Sequence, residues 1–190
     1  MEAQDLAGVK KKARVEGRTI VFIDESGLTQ KPHRVRTWSP KGQTPLLLHC
    51  FNWKNLGAIA GLTWVNFYFR LFAGSIKSAQ VIEFLGHLGR HLPGKLLVIW
   101  DGAGIHRSKA VSQYLESLEG KIIACRLPAY APELNPVEYL WAYWKQHELP
   151  NLCARDLWSL SGWASHGLRR IRCKRHRLIA AFYKQAELWP

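Results

Sequence analysis

The chain has 190 residues, a length that suits one domain able to bury roughly two thirds of the surface exposed on unfolding. Lysine and arginine number 27 against 14 acidic residues, and the net charge of +13 predicts a polyanionic partner, with nucleic acid favoured over a membrane surface. No apolar run is long enough to span a bilayer, which argues against a membrane-spanning protein. The four cysteines are scattered and form no Cys-x-x-Cys pair, which argues against a disulfide framework and a zinc cluster.

Residues that favour β-structure dominate the first part of the chain. Residues 19–24, TIVFID, predict a buried central strand that ends in acids. Residues 28–45 are broken by prolines and rich in basic side chains, which predicts loops with an edge strand that form a basic rim. Two β-rich runs between Leu56 and Gly74, with a turn near 63–66, predict a hairpin. Three antiparallel strands would therefore follow one another.

The hydrophobic period changes after Ser78, a candidate helix cap. Apolar residues then recur at helical spacing as far as Pro93, which predicts an amphipathic helix. Residues 96–101, LLVIWD, predict a second apolar strand, Ser108 a further helix cap, and residues 121–127 another strand. The resulting order β-β-β-α-β-α-β-α predicts an α/β protein with a ribonuclease-H-like fold, in which helices flank a mixed five-stranded sheet.

Two of the four aspartates, Asp24 and Asp101, end the two most hydrophobic strands. A carboxylate beside a buried strand costs desolvation free energy unless a positive group compensates it. Either residue alone is explained as the start of a turn, but two at equivalent strand ends favour a shared function. Asp24 and Glu25 point to opposite faces of the strand, so either could be the functional acid of this pair.

The segment LPAYAPELNPVEYLW, residues 127–141, predicts the start of a helix. Asn135 suits the N-cap, Pro136 the first helical position, and Glu138 the third, where its side chain can reach back in a capping box. The same position would hold the Glu138 carboxylate rigidly at the positive end of the helix dipole. The local sequence supports the cap and the functional acid about equally.

The combination of Asp24, Asp101 and Glu138 favours metal chemistry. Hard divalent cations prefer carboxylate oxygens, and three acids from two strand ends and one helix start are sufficient ligands. Phosphodiester cleavage and transfer use two such ions, about 4 Å apart. An acidic pocket within a basic surface is what a metal-dependent nuclease requires.

The segments VFIDESGL, LLVIWDGAGIHRS and LPAYAPELNPVEYLW, in this order, resemble the three catalytic motifs of the DDE transposases of the insertion-sequence-630 and mariner group. The resemblance covers residues 19–144, and the third motif is the most specific. It implies that Asp24, rather than Glu25, joins Asp101 and Glu138 in a catalytic triad that binds two Mg²⁺ or Mn²⁺ ions.

The same resemblance implies a function. It predicts metal-dependent cleavage of double-stranded DNA at the ends of a mobile element, followed by attack of the freed 3′-hydroxyl on target DNA. It also suggests insertion at TA dinucleotides, a homodimer assembled on DNA, and a cytoplasmic place of action at the bacterial nucleoid.

The sequence departs from the family pattern at two points. Gly102 stands where many relatives have asparagine, so any orienting role of that amide is absent or supplied elsewhere. Such transposases usually begin with helix-turn-helix modules, for which residues before Thr19 leave no room. We therefore expect the catalytic half alone, either a truncated remnant or the second frame of a split element that works with a separate helix-turn-helix polypeptide.

We expect the chain to divide into three parts. Residues 1–18 would form a basic N-terminal helix or arm, residues 19–150 the ribonuclease-H-like catalytic core, and residues 151–190 a basic helical extension of the same domain. His106 could contact substrate phosphate or a metal-bound water, or equally be a satisfied histidine at a helix entry. For Asn135, the sequence favours a role as the helix N-cap over a contact with substrate.

Three groups of basic side chains are candidates for binding DNA phosphates, with a strong salt dependence of affinity expected. They are Lys10, Lys11, Lys12 and Arg14 near the N-terminus, Arg34 and Arg36 in the basic rim, and Arg169, Arg170, Arg172, Lys174, Arg175 and Arg177 near the C-terminus. Helical spacing places Trp141 and Trp144 in the core, whereas Trp38 and Trp53 could stack on bases.

Three other functions fit the sequence. A catalytically inactive DNA-binding remnant would bind without metal and would not cut. A ribonuclease-H-like nuclease would share the metal chemistry but cleave RNA in RNA–DNA hybrids. A subunit that only scaffolds a DNA-bound assembly would tolerate Asp101→Asn without loss of function.

Overall fold

The computed structural model describes residues 6–48, 54–128 and 132–188. Cys50, Trp53, residues 129–131 of the third motif and residues 1–5 of the expected N-terminal arm lie outside these ranges.

A five-stranded mixed sheet forms the centre, with the strand order β3-β2-β1-β4-β5. β1 pairs antiparallel with β2 and β2 with β3, whereas β4 runs parallel to both β1 and β5. The strands are β1 (Arg18–Thr29), β2 (Asn55–Leu62), β3 (Phe67–Ala73), β4 (Lys95–Trp100) and β5 (Ile122–Arg126). This arrangement confirms the predicted fold class.

Six α-helices accompany the sheet in the described ranges: α1 (Leu6–Val15), α2 (Ser78–His91), α3 (Lys109–Ser117), α4 (Pro136–Tyr143), α5 (Leu157–Cys173) and α6 (Arg175–Gln185). Short 3₁₀ turns, Gly104–Arg107 and Pro132–Leu134, precede α3 and α4, and a π-helical turn, Trp144–Glu148, continues α4. None of these helices has the length and apolar character needed to cross a bilayer.

The two faces of the sheet carry separate hydrophobic cores. Residues of α2 and α3 pack on one face together with Val21 and Ile23, and residues of α1, α4, α5 and α6 pack on the other together with Phe22. Successive side chains of a strand point to opposite faces. Asp24 therefore belongs to the α4 face, and Glu25 to the α2 face.

The structure differs from the expected elements at three places. β1 continues five residues beyond Asp24 because its second half pairs with β2. The edge strand expected within residues 28–45 does not form: β1 ends at Thr29, and the only β-pairing recorded for residues 30–45, all of them described, is a bridge between His33 and Pro150. The N-cap of α2 is Lys77 rather than Ser78. The predicted cap at Ser108 is confirmed, since its side chain accepts the Val111 N–H at 3.4 Å.

The part boundaries at residues 18 and 150 stay predictions. Side chains of α1, such as Val9 and Ala13, and side chains of α5 and α6 belong to the same hydrophobic core as β1.

We expect Gly57→Ala to destabilise the protein by about 1–3 kcal/mol, the usual cost of overpacking. A Cβ at position 57 would lie 2.7 Å from the Gly74 carbonyl oxygen and 2.8 Å from Ile76 Cδ1, and the backbone oxygen cannot move aside easily. Gly27 is the residue paired with Gly57 across the two strands, and a Cβ there meets nothing within 4 Å. Gly27→Ala is therefore the matched control, and urea unfolding that ranks the two variants equally would contradict the packing argument.

Candidate active site

The parallel pairing of β1 and β4 sets two aspartates side by side. The last recorded pair in this ladder is Phe22 with Ile99, and two further residues along the same register match Asp24 with Asp101. Asp24 lies within β1, and Asp101 directly follows β4. The two acids thus share the carboxyl end of β4, the type of edge at which open α/β sheets bind ligands.

Helix α4 begins at the same edge and carries Glu138 in its first turn. Asn135 is the N-cap, as predicted: its Oδ1 accepts the Val137 N–H at 3.2 Å. Its Nδ2 donates to the Ile23 carbonyl oxygen at 3.2 Å, which ties the helix start to the strand beside Asp24. The expected capping box is absent, because no hydrogen bond to Glu138 side-chain oxygens is recorded within the described ranges. The Glu138 side chain instead stays exposed.

Asp24 is the most perturbed acid of the site. Only 8% of the residue is exposed, and Trp141 Nε1 donates to its Oδ2 at 2.9 Å. Burial, followed by the negative charges of Glu138 and Glu25, raises the pKa of Asp24 to about 8. Trp141 was expected only as a core residue, but a buried indole N–H needs an acceptor, and that rule points to a nearby acid.

His106 joins Asp101 to Glu25. Its imidazole is fully buried and stacks on Trp100, with ring centroids 4.4 Å apart and planes 3° from parallel. Nδ1 lies 3.0 Å from Asp101 Oδ1, and Nε2 lies 3.0 Å from Glu25 Oε1. Burial alone would lower the pKa of His106, but the hydrogen bonds to Asp101 and Glu25 outweigh it and raise the pKa to about 9. Both nitrogens are engaged within the protein: Nε2 faces Glu25, and Nδ1 lies between the Asp101 carboxylate and the Asp101 backbone oxygen, which is 3.3 Å away.

Asp101 is held by donors on one side and open on the other. Its Oδ1 also accepts the Ala103 N–H at 2.9 Å, while 53% of the side chain is exposed. The hydrogen bond from His106, with a smaller effect of the Ala103 N–H, lowers the pKa of Asp101. His106 has no nitrogen left for a phosphate or a water, so the structure favours its role as an internal partner. The sequence had left the two roles equal.

The structure brings the three predicted acids to one edge but does not gather them around a common point. Throughout the described ranges, no three His, Cys, Asp or Glu side chains are close enough together to hold a metal ion. Asp24 and Glu138 interact by repulsion, and the Asp101 carboxylate is turned to His106. The donors nevertheless fit a hard divalent cation in kind, since all are carboxylates and a cation would relieve the repulsion that raises the pKa of Asp24.

Most of the predicted DNA-binding side chains are exposed, but some are engaged within the fold. Lys10 Nζ donates to the Leu188 carbonyl oxygen at 3.0 Å, and Arg170 pairs with Glu148 at 3.3 Å. Those with exposed side chains and no recorded partner of this kind are Lys11, Lys12, Arg14, Arg34, Arg36, Arg169, Lys174 and Arg177; Arg175 is half-buried and donates to a backbone carbonyl.

Arg172 serves the packing of the protein. Its guanidinium lies 5.5 Å from the ring centroid of Phe67 and 5.0 Å from that of Phe69, and burial lowers its pKa. Trp144 is fully buried, as its helical spacing predicted, and Trp38 is 99% exposed.

We expect Asp24→Asn to flatten the pH dependence of stability in metal-free buffer. The pKa of Asp24 is about 8 in the folded chain against an ordinary value of 3.8, so the folded state binds more protons between these values. The contribution of Asp24 to the free energy of unfolding therefore falls as the pH rises from about 4 to 8, and asparagine removes that fall. Urea unfolding in EDTA across this range measures the effect.

Asp156→Asn is the control for this experiment, because Asp156 is an exposed helix cap whose pKa is lowered, so it titrates below the same window. Identical pH slopes for wild type and Asp24→Asn would contradict the burial and repulsion described for Asp24.

Comparison with known proteins identifies the family. A family model described as DDE superfamily endonuclease matches residues 19–161. No curated protein matches the chain. Among solved structures, a pre-cleavage Mos1 transpososome is 20% identical with a TM-score of 0.69, and the match covers 96% of this chain and 58% of that one. The Mos1 mariner paired end complex with Mn is 23% identical with a TM-score of 0.66, covering 96% and 57%.

The catalytic domain of Mos1 mariner transposase, at 18% identity and a TM-score of 0.63, is covered to 84% by a match that spans 96% of this chain. The chain thus spans little more than half of the transposase chains in the DNA complexes and most of the isolated catalytic domain. These similarities support the ribonuclease-H-like fold, and the family match covers well over half of the sequence. The chain belongs to the DDE superfamily endonuclease family, as its three motifs predict.

Proposed function

We propose that this chain is the catalytic domain of a transposase that cuts double-stranded DNA at the ends of a mobile element and joins the freed 3′ ends to target DNA. The observation that supports this most is the placement of Asp24, Asp101 and Glu138 at one edge of the sheet, in the order of the family motifs. The similar structures named as a transpososome and as paired end complexes support the substrate class.

Asp24, Asp101 and Glu138 would hold two Mg²⁺ or Mn²⁺ ions, which when bound activate the attacking oxygen and stabilise the leaving oxygen. Structures named as Mos1 complexes with Mn and with Mg support this choice of metal. Two neighbouring residues, Trp141 and Asn135, would orient these carboxylates. Trp141 holds one oxygen of Asp24, and Asn135 fixes the first turn of α4 against β1, so the Glu138 backbone is set relative to Asp24.

The assembly we propose is a homodimer on DNA at the bacterial nucleoid. The exposed basic side chains of α1, the 34–36 segment and the α5–α6 region would contact the phosphate backbone without reading sequence. Recognition of the element ends would come from a helix-turn-helix module, on the same or on a separate polypeptide.

The first test is nicking of supercoiled plasmid in Mg²⁺ or Mn²⁺. We expect Asp24→Asn, Asp101→Asn and Glu138→Gln each to lower the nicking rate by about 100-fold or more, because each removes a charged metal ligand. Glu133→Gln is the matched control, since Glu133 is an exposed glutamate in the 3₁₀ turn of the same motif and belongs to no ligand set. Nicking that survives in all three triad variants would contradict the proposed site.

A parallel assay on RNA–DNA hybrid separates the alternatives. Preference for the hybrid would favour a ribonuclease-H-like nuclease. Wild type that binds DNA but cuts neither substrate, even with an added helix-turn-helix module, would favour an inactive remnant or a scaffold.

A second test concerns the basic side chains. We expect Arg177→Ala to lower the slope of log affinity for DNA against log salt by about 1, because an exposed arginine that contacts a phosphate releases about one counterion. Arg172→Ala is the contrasting variant: its side chain packs on Phe67 and Phe69, so the change should lower the unfolding midpoint and leave the salt slope nearly unchanged. The reverse pattern would contradict this division of the basic cluster.

A further inference from the structure

The carboxylate of Asp101 has one oxygen occupied and one available. Oδ1 lies 3.0 Å from His106 Nδ1 and accepts the Ala103 N–H at 2.9 Å. No hydrogen bond to Oδ2 is recorded anywhere in the described ranges, and the side chain is 53% exposed. His106 Nδ1 also lies 3.3 Å from the Asp101 backbone oxygen, so the imidazole faces both oxygens on this side of the residue. The Ala103 N–H and the imidazole together hold Oδ1, and the second oxygen then points away from them.

The donor that fixes Asp101 is itself immobile. The His106 imidazole is fully buried, and its near-parallel stack on Trp100 leaves little freedom to turn. Its far nitrogen donates to Glu25 Oε1 at 3.0 Å, which removes the remaining choice of ring orientation. Glu25 belongs to β1, where it pairs with Ile59 of β2. The chain of contacts thus runs from β1, through the His106 imidazole, to Asp101 at the carboxyl end of β4.

We propose that Glu25 and His106 are a positioning pair, which holds Asp101 so that Oδ2 is the oxygen presented to a divalent cation. This inference rests on the proposed function, since it concerns how one member of the proposed triad is oriented. Glu25 is then a positioning residue and no metal ligand, although it follows Asp24 directly in the chain.

The alternation of β1 supports this assignment. Asp24 faces α4 and Glu138, and Glu25 faces the side of the sheet that carries Trp100 and His106. Gly102 has no side chain with which to orient Asp101. In the described ranges, the side chain recorded in contact with the Asp101 carboxylate is that of His106. His106 therefore supplies from the next turn what position 102 lacks.

The test replaces His106 with two amides, each of which keeps the hydrogen bond of only one ring nitrogen. Asparagine places its amide nitrogen near the position of Nδ1, so His106→Asn keeps a donor to Asp101. Glutamine reaches toward the position of Nε2, so His106→Gln keeps a donor to Glu25 and loses the one to Asp101. His87→Gln is the control, because His87 is a partly buried histidine on α2 that contacts His91 and no acid of the site.

The readouts are Mn²⁺ binding, followed by electron paramagnetic resonance of the free ion, and plasmid nicking, with urea unfolding to confirm the fold. We expect His106→Gln to weaken Mn²⁺ binding by about 10- to 100-fold, the usual effect of losing a partner that orients a ligand. His106→Asn should lose less than His106→Gln, and His87→Gln should match wild type. Glu25→Gln can still accept from Nε2, so it should lose much less than Asp101→Asn.

Several outcomes would overturn the positioning pair: unchanged Mn²⁺ affinity in a folded His106→Gln, equal losses in the two His106 variants, or a wild type that binds no Mn²⁺. If His106→Gln does not fold, the comparison of Glu25→Gln with Asp101→Asn decides, and equal losses would make Glu25 a ligand. A wild type that shows the expected Mn²⁺ pattern but never nicks DNA would count against the proposed function alone.

Discussion

Repulsion between carboxylates at low solvent exposure is the constraint on which the rest of the site depends. Asp24 is almost buried and has the negative charges of Glu138 and Glu25 close by, so its charged form is disfavoured. A fold selected for stability alone would not keep this arrangement. The sheet nonetheless holds Asp24 in place, because Asp24 pairs with Ala60 of β2 just beyond the end of the ladder that β1 forms with β4. Such rigidity is what a site needs if cations are to be bound by fixed ligands.

Net charge is a coarse guide to what individual basic residues do. Among the described contacts, Lys10 donates to a backbone carbonyl and Arg170 pairs with the buried side chain of Glu148. Arg172 packs on two phenylalanine rings. Arg172 has a side chain whose aliphatic part and planar head both suit packing, so its position in a basic run says little about its exposure. Charge density predicts a polyanionic partner for the whole molecule, whereas the assignment of single arginines required the coordinates.

Hydrophobic period, caps and strand ends were sufficient to predict the order of the elements. Asn135 and Ser108 cap helices because short polar side chains before apolar runs have few other roles. The length of β1 was missed because residues after Asp24 owe their extended form to β2, thirty residues later in the chain, and not to their own apolar character. The capping box is absent although the cap is present: Asn135 Oδ1 accepts the Val137 N–H, and the described ranges record no hydrogen bond to the Glu138 side chain.

The Glu25–His106 contact joins residues 81 positions apart, and no local pattern announces it. Alternation could have narrowed the search. Once β1 and β4 are paired in parallel, the odd residues of β1 and the even residues of β4 share a face, so Glu25 lies on the face of Trp100, two residues beyond the position level with it. A buried acid on that face needs a donor, and the nearest histidine in sequence after Trp100 is His106.

The consecutive acids Asp24 and Glu25 therefore make their contacts on opposite faces of the sheet, each on a face that also carries a tryptophan. On the α4 face, Trp141 donates to Asp24 directly. On the α2 face, Trp100 gives His106 a flat surface to stack on, and His106 links Glu25 to Asp101. Because the side chains of a strand alternate, the sequence Asp-Glu can serve both faces without any turn of the backbone. The strand that carries the buried Asp24 thereby also helps to hold the half-exposed Asp101, because Glu25 of the same strand fixes the imidazole that faces the Asp101 carboxylate.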